Sequence, residues 1–174
     1  MTKIGSGKVA LCLALGLVLL PAISSAQQTV IVIRHAERAD GGAGATAGMT
    51  DKPVDPPLSA AGEARAAKLA AMLAETGVNA IFTTEFKRTQ DTVKPLAAKL
   101  GLKSVTVSAK DTAGLIARIR KDHAKDIVLI VGHSNTVPDI VKAFTGTVIT
   151  MRDEEYDAMF VLTPIAASMT LIRW

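Results

Sequence analysis

The 174 residues contain a single cysteine, Cys12, so no disulfide can form within the chain and its stability must come from a packed core. One Trp, one Tyr and four Phe leave no interleaved aromatic platform on which nucleobases could stack. Three histidines, no HExxH and no second cysteine are too few ligands for a zinc centre, which argues against a metal-dependent hydrolase. The stretch Gly41-Gly42-Ala43-Gly44 is glycine-rich but lacks the lysine and hydroxyl residue that a phosphate-cradling GxxxxGK[ST] loop needs. Finally, no apolar run reaches the roughly 20 residues required to cross a bilayer. The longest, Val9 to Leu20, is 12 residues.

That run has a different meaning. Lys3 and Lys8 precede it, Pro21 follows, and Ser24-Ser25-Ala26 offers a small-x-small cleavage pattern, so residues 1–26 read as a secretory signal peptide. Leu11 before Cys12 does not suit a lipoprotein cleavage site. The expected mature chain, 27–174, is of ordinary single-domain size and lacks both cysteine and a stable membrane anchor. A secreted, periplasmic location follows from the leader. Removing Lys3 and Lys8 lowers the net charge from +4 to +2, too little to imply a nucleic-acid partner.

Along this mature chain, apolar runs alternate with amphipathic segments, the pattern of a mainly parallel α/β sheet covered by helices. Strands are expected near 30–33, 79–83, 104–107, 127–131, 158–163 and 168–172. Helices are expected from a Ser59 cap toward Gly77, over 86–100 ending at Gly101, over 111–123, and from after His133 to Phe144. The last two strands are close enough to pair as a hairpin, which would make one edge of the sheet antiparallel. Residues 40–57, rich in Gly, Ala, Pro and Thr, read as a flap beside the first histidine.

Two of the apolar runs end in histidine: Val30-Ile31-Val32-Ile33-Arg34-His35 and Ile127-Val128-Leu129-Ile130-Val131-Gly132-His133. Ligands bind at the carboxyl ends of the strands in open α/β sheets. If the two strands are neighbours, His35 and His133 therefore face each other across one crevice. Arg34 and Arg38 flank the first histidine, and Arg88 follows the strand Ala80-Ile81-Phe82-Thr83. Arginine binds phosphate through a planar fork that never loses its charge. A neutral imidazole is nucleophilic and can divide a difficult displacement into two easier ones. Arg34, Arg38, Arg88 and a protonated His133 would clamp a phosphoryl group, and His35 would attack it. His123, on a polar helix end, reads as structural.

In this order the residues resemble the histidine phosphatase superfamily, also called the phosphoglycerate mutase-like family. Arg34-His35-Ala36-Glu37 resembles its Arg-His-Gly motif, and Pro57-Leu58-Ser59-Ala60-Ala61-Gly62 its helix-start motif. Thr84-Glu85-Phe86-Lys87-Arg88-Thr89-Gln90-Asp91-Thr92 is similar to the middle motif, and Gly132-His133-Ser134-Asn135 to the last. The resemblance implies a three-layer α/β/α fold, phosphorylation of His35, phosphoryl binding by Arg34, Arg88 and His133, and no metal or other cofactor. Thr84 and Ser134, inside the middle and last of these motifs, complete the expected substrate contacts.

Three departures stand out. Ala36 replaces the usual glycine, and Gly41 stands where a phosphate-binding asparagine is often found. The third is the proton donor, a carboxylic acid in this family, which no strong motif marks here. Asp111 occupies the right kind of place and reads equally as the cap of the third helix. Glu37 and Asp40 are weaker candidates, and Asp153-Glu154-Glu155 reads as a solvated turn.

The expected function is phosphatase action on a phosphomonoester, with a phosphorylated small molecule or other phosphoester as partner. A non-catalytic periplasmic phosphate or phosphoester binding protein is the alternative. A phosphomutase is a third reading, disfavoured by the short chain and the leader. Substrate identity and oligomeric state are not legible.

Overall fold

A computed structural model describes residues 28–41 and 55–174. The leader expected over 1–26 and most of the flap lie outside the described residues.

Six strands form one sheet: β1 (Thr29–Arg34), β2 (Ala80–Thr84), β3 (Val105–Val107), β4 (Ile127–Gly132), β5 (Ala158–Thr163) and β6 (Ser168–Arg173). Their order is β3-β2-β4-β1-β5-β6. The first four are mutually parallel, while β5 runs antiparallel to both β1 and β6. The antiparallel edge is thus two strands wide, its hairpin turned by Pro164–Ala166 and by Ala167 at φ +47°.

Four helices cover the sheet: α1 (Ala60–Leu73), α2 (Lys87–Leu100), α3 (Thr112–Asp122) and α4 (Thr136–Thr145). Alternation along each central strand sends side chains to two separate cores. Ile31, Ile33, Leu129 and Val131 pack against α1 and α2 through Leu69, Leu73, Val93 and Leu96. Val30, Val32, Val128 and Ile130 pack against α3 and α4 through Leu115, Ile119, Ile140 and Phe144. Burial on both faces is why these strands read as unbroken apolar runs. Each such fully buried side chain stabilises the fold by roughly 1.5–3 kcal/mol.

The helix ends follow from local chemistry. Ser59 accepts from the Gly62 amide at 3.1 Å and caps α1, which ends at Leu73, a turn earlier than expected; residues 74–77 continue as turns. Gly101, at φ +66°, ends α2 where the sequence placed the stop. Gly62 answers a different demand: a Cβ there would lie 2.2 Å from the backbone oxygen of Glu37, so only glycine lets α1 approach the segment after His35. Among the described residues, no helix is long and apolar enough to cross a membrane.

Candidate active site

The register of β1 and β4 pairs Arg34 with Gly132, so His35 and His133 leave neighbouring strands at the same level. The His35 amide donates to the Gly132 oxygen at 3.0 Å, and the two ring centroids are 5.4 Å apart. Both histidines and Arg34 are buried within the protein. With Arg38, Arg88, Phe86, Ser134 and Asp153 they line a cleft of about 310 Å³ beyond the strand ends.

His35 is oriented by its own backbone neighbour. Its Nδ1 lies 2.8 Å from the Ala36 carbonyl oxygen, which can only accept, so Nδ1 carries the proton and Nε2 keeps a lone pair. Burial pushes the imidazole down to about 3, opposed by the Ala36 hydrogen bond and reinforced by Arg34, His133 and Arg88. The Ala36 amide donates to Thr92 Oγ1 at 2.9 Å, and Thr92 donates in turn to the Arg88 carbonyl. The middle motif therefore braces the loop that carries His35. Positive φ is confined to Ala167 among the described non-glycine residues, so alanine costs the Ala36 position no backbone strain.

The arginines are held by groups the sequence did not mark. Arg34 donates to the carbonyl oxygens of Arg152 and Asp153 and sits over the Tyr156 ring, 4.2 Å from its centroid. Arg38 pairs with Asp40, and Arg88 with Asp55 at 3.4 Å. Arg88 also stacks on Phe86, 4.1 Å from the ring centroid. The Nε–H groups of all three arginines are buried without an acceptor among the described residues, so the cluster carries more donors than those residues satisfy.

His133 departs from the expectation of a charged clamp. Burial pushes it down to about 4, with Arg88 reinforcing, Glu85 opposing, and Arg34 and Arg38 reinforcing again. Burial and the neighbouring guanidiniums thus favour the neutral ring. Its Nε2 lies 2.9 Å from Thr84 Oγ1, and its Nδ1 lies 3.4 Å from Arg88 Nη2.

Three sequence expectations need correction. Thr84 does not line the cleft; its hydroxyl is spent on His133 and Thr89 beneath it. Asp111 caps α3, accepting from the Gly114 amide at 2.9 Å, and is not among the lining residues, although Ala109 is. Asp153 is not merely part of a solvated turn. It lines the cleft, accepts from Ser134 Oγ at 2.8 Å and lies 3.9 Å from Arg34.

Of the remaining candidates, Glu37 is engaged elsewhere by Arg65, at 2.6 Å in its closest contact. Burial would raise its carboxyl, but Arg65 outweighs that and holds it low. Gly41 adopts φ +73°. His123 bonds Asp126 at 2.7 Å and is not among the residues lining the cleft, in keeping with a structural role. Tyr156, the chain's only tyrosine, and Asp55 were missed; no spacing pattern connects either to the histidines. Among the described residues, no group of three or more His, Cys, Asp or Glu side chains could hold a metal ion.

Comparison with known proteins places this geometry. The family model described as histidine phosphatase superfamily (branch 1) matches residues 30–111. No curated protein sequence matches the chain. Solved structures do match. One titled as a proposed phosphohistidine phosphatase, SixA from Agrobacterium tumefaciens, has a TM-score of 0.61 at 19% identity, covering 83% of this chain and 95% of that one. Another, a protein histidine phosphatase SixA complexed with tungstate, has a TM-score of 0.56 at 17% identity, covering 84% and 94%. A mycobacterial glucosyl-3-phosphoglycerate phosphatase complexed with VO3 has a TM-score of 0.60 at 11% identity, covering 84% and 98%. At these identities the likeness shows a shared fold. With the family model matched over residues 30–111 and the motif residues gathered in one cleft, the chain resembles the histidine phosphatase superfamily in both sequence pattern and fold.

Proposed function

We propose that this protein is a phosphatase that hydrolyses a phosphomonoester through a phosphohistidine on His35. The observation that carries this reading is the orientation of His35. Its Nδ1 is tied to the Ala36 carbonyl, and burial with neighbouring positive charge keeps the ring neutral, so Nε2 offers a lone pair beside His133, Arg34 and Arg88. Nε2 attacks phosphorus as the bond to the leaving oxygen breaks, and water then displaces the phosphoryl group and restores the imidazole. Charge on the transferring group spreads over its outer oxygens, where the arginines can meet it. That concentration of guanidiniums supplies the stabilisation a metal provides elsewhere, which supports a metal-independent reaction. Two solved structures that share the fold are complexes with tungstate and VO3, both phosphate-like oxyanions.

The leader motif supports export, so we read the enzyme as periplasmic and acting on a phosphorylated compound there. The test is hydrolysis of 4-nitrophenyl phosphate in chelator by wild type and His35→Ala, with acid quenching to trap phosphate on the protein. Turnover and label in wild type, both lost in the variant, are expected. Phosphate binding without turnover or label would instead favour the binding-protein reading.

A further inference from the structure

The two nitrogens of His133 are in unlike surroundings, and the hydroxyls beneath the ring decide which one carries the proton. Thr89 Oγ1 lies 2.7 Å from the Phe86 carbonyl oxygen and 3.1 Å from that of Thr84. A carbonyl oxygen can only accept, and an oxygen–oxygen separation of 2.7 Å calls for a proton between the two atoms, so the single Thr89 hydroxyl proton is directed to the Phe86 carbonyl. Thr89 Oγ1 therefore accepts from the Thr84 amide at 3.2 Å and from the Thr84 hydroxyl at 3.0 Å. With its own proton used, Thr84 Oγ1 must accept from His133 Nε2 at 2.9 Å. All three residues are buried, so water does not compete for these bonds. Nδ1 is left with the lone pair, on the side of Arg88 and the cleft.

We propose that Thr84 and Thr89 are positioning residues that lock His133 as the Nε2–H tautomer, making Nδ1 the atom that carries the reaction's proton. The proposal rests on the phosphatase reading. Nδ1 takes up a proton as the phosphoryl group enters, either from solvent or from a monoanionic substrate. When the His35 Nε2–P bond forms and the P–O bond breaks, that proton passes to the leaving oxygen, which departs as an alcohol. In the second half, water attacks phosphorus and gives one proton to Nδ1, and the P–N electron pair returns to His35. The groups facing His133 are Arg34, His35 and Arg38 from β1 and the segment after it, Glu85 and Arg88 from the β2–α2 junction, and Asp153 across the cleft. Asp153 is the one carboxyl among the described lining residues, and it is engaged by Ser134 beside Arg34. A proton carrier is therefore needed, and His133 is in place for it.

The test compares wild type, Thr84→Val and Thr84→Ser on phosphate esters whose leaving groups span good (2,4-dinitrophenyl) to poor (alkyl). Loss of a positioned proton donor should cost Thr84→Val on the order of 100-fold on the alkyl ester and under about tenfold on the dinitrophenyl ester, with Thr84→Ser restoring both. An equal loss across the series marks a merely structural threonine and overturns the proposal. Nitrogen-15 spectra of His133 decide the tautomer independently. Wild type should carry its proton on Nε2 at pH 7 and gain one on Nδ1 with vanadate, while Thr84→Val or Thr89→Val should populate the other tautomer. A wild-type Nδ1–H ring overturns the proposal even if no ester is hydrolysed. Absence of all hydrolysis, with the expected spectra, would remove the phosphatase reading and leave the lock standing.

Discussion

His35 and His133 follow paired positions on adjacent parallel strands, yet they are anchored on different scales. The Nδ1 of His35 is tied to the carbonyl of the next residue. The Nε2 of His133 is tied to a threonine 49 residues away on another strand. One imidazole is oriented by its own peptide and the other by the packing of β2 against β4. The orientation of His35 is thus set by local backbone, whereas that of His133 is set only once the sheet is assembled.

The sharpest way to separate the two is to remove each. His35→Ala should lower turnover on the order of 10⁴-fold or more and abolish acid-trapped phosphate, whereas loss of His133 should cost about 10²–10³-fold and leave slow labelling. Equal losses, with labelling gone in both variants, would erase the distinction.

Arg88 touches His133, and Arg38 lines the same cleft. A point charge cannot reproduce the guanidinium fork, so Arg88→Lys should reduce kcat/KM by about 10²-fold with aryl phosphate. Arg38→Lys should reduce it less, because Arg38 is held closely by Asp40 whereas the Arg88–Asp55 pair spans 3.4 Å.

Acid treatment probes both rings together. Each is held below its ordinary value of 6.5, to about 3 for His35 and about 4 for His133. Between those values the unfolded chain binds more protons than the fold, so stability rises with pH through that window and is lost as pH falls. Each ring should add up to about 1.4 kcal/mol per pH unit to the slope of urea-unfolding stability between pH 6.5 and 5. His35→Ala should remove one ring's share and keep the other.

Gly62→Ala disturbs only the His35 side, by forcing a methyl group into the Glu37 carbonyl. It should cost about 1–3 kcal/mol in unfolding measurements and lower turnover while the His133 nitrogen spectrum stays unchanged. Asp111→Ala, which touches neither ring, should cost about 1 kcal/mol of stability through the lost cap and leave kcat intact. A large fall in kcat would return Asp111 to the role of proton donor.

The elements were legible because their signals are local. Runs buried on both faces are apolar at every position, Ser59 and Asp111 cap the helices they precede, and Gly101 stops α2 through a backbone conformation that glycine adopts without strain. The cleft was legible in its charged residues and less so in its supports. Asp111 and Thr84 were read toward the cleft because a position after a strand indicates an end of the sheet and says nothing about which way the side chain turns. Tyr156 and the carbonyls of Arg152 and Asp153 were invisible for another reason. They reach Arg34 from a segment more than a hundred residues away, and a backbone carbonyl has no sequence identity.

The sequence by itself therefore determined the strands, the helices, the two histidines and the arginines, since periodicity, capping and residue chemistry act over a few neighbouring positions. Only the tertiary structure decided that β4 inserts between β1 and β2, so that His133 meets His35 on one side and Thr84 on the other. Strand order and hydroxyl direction depend on contacts between residues far apart in the chain, and those are set by packing two cores against one sheet.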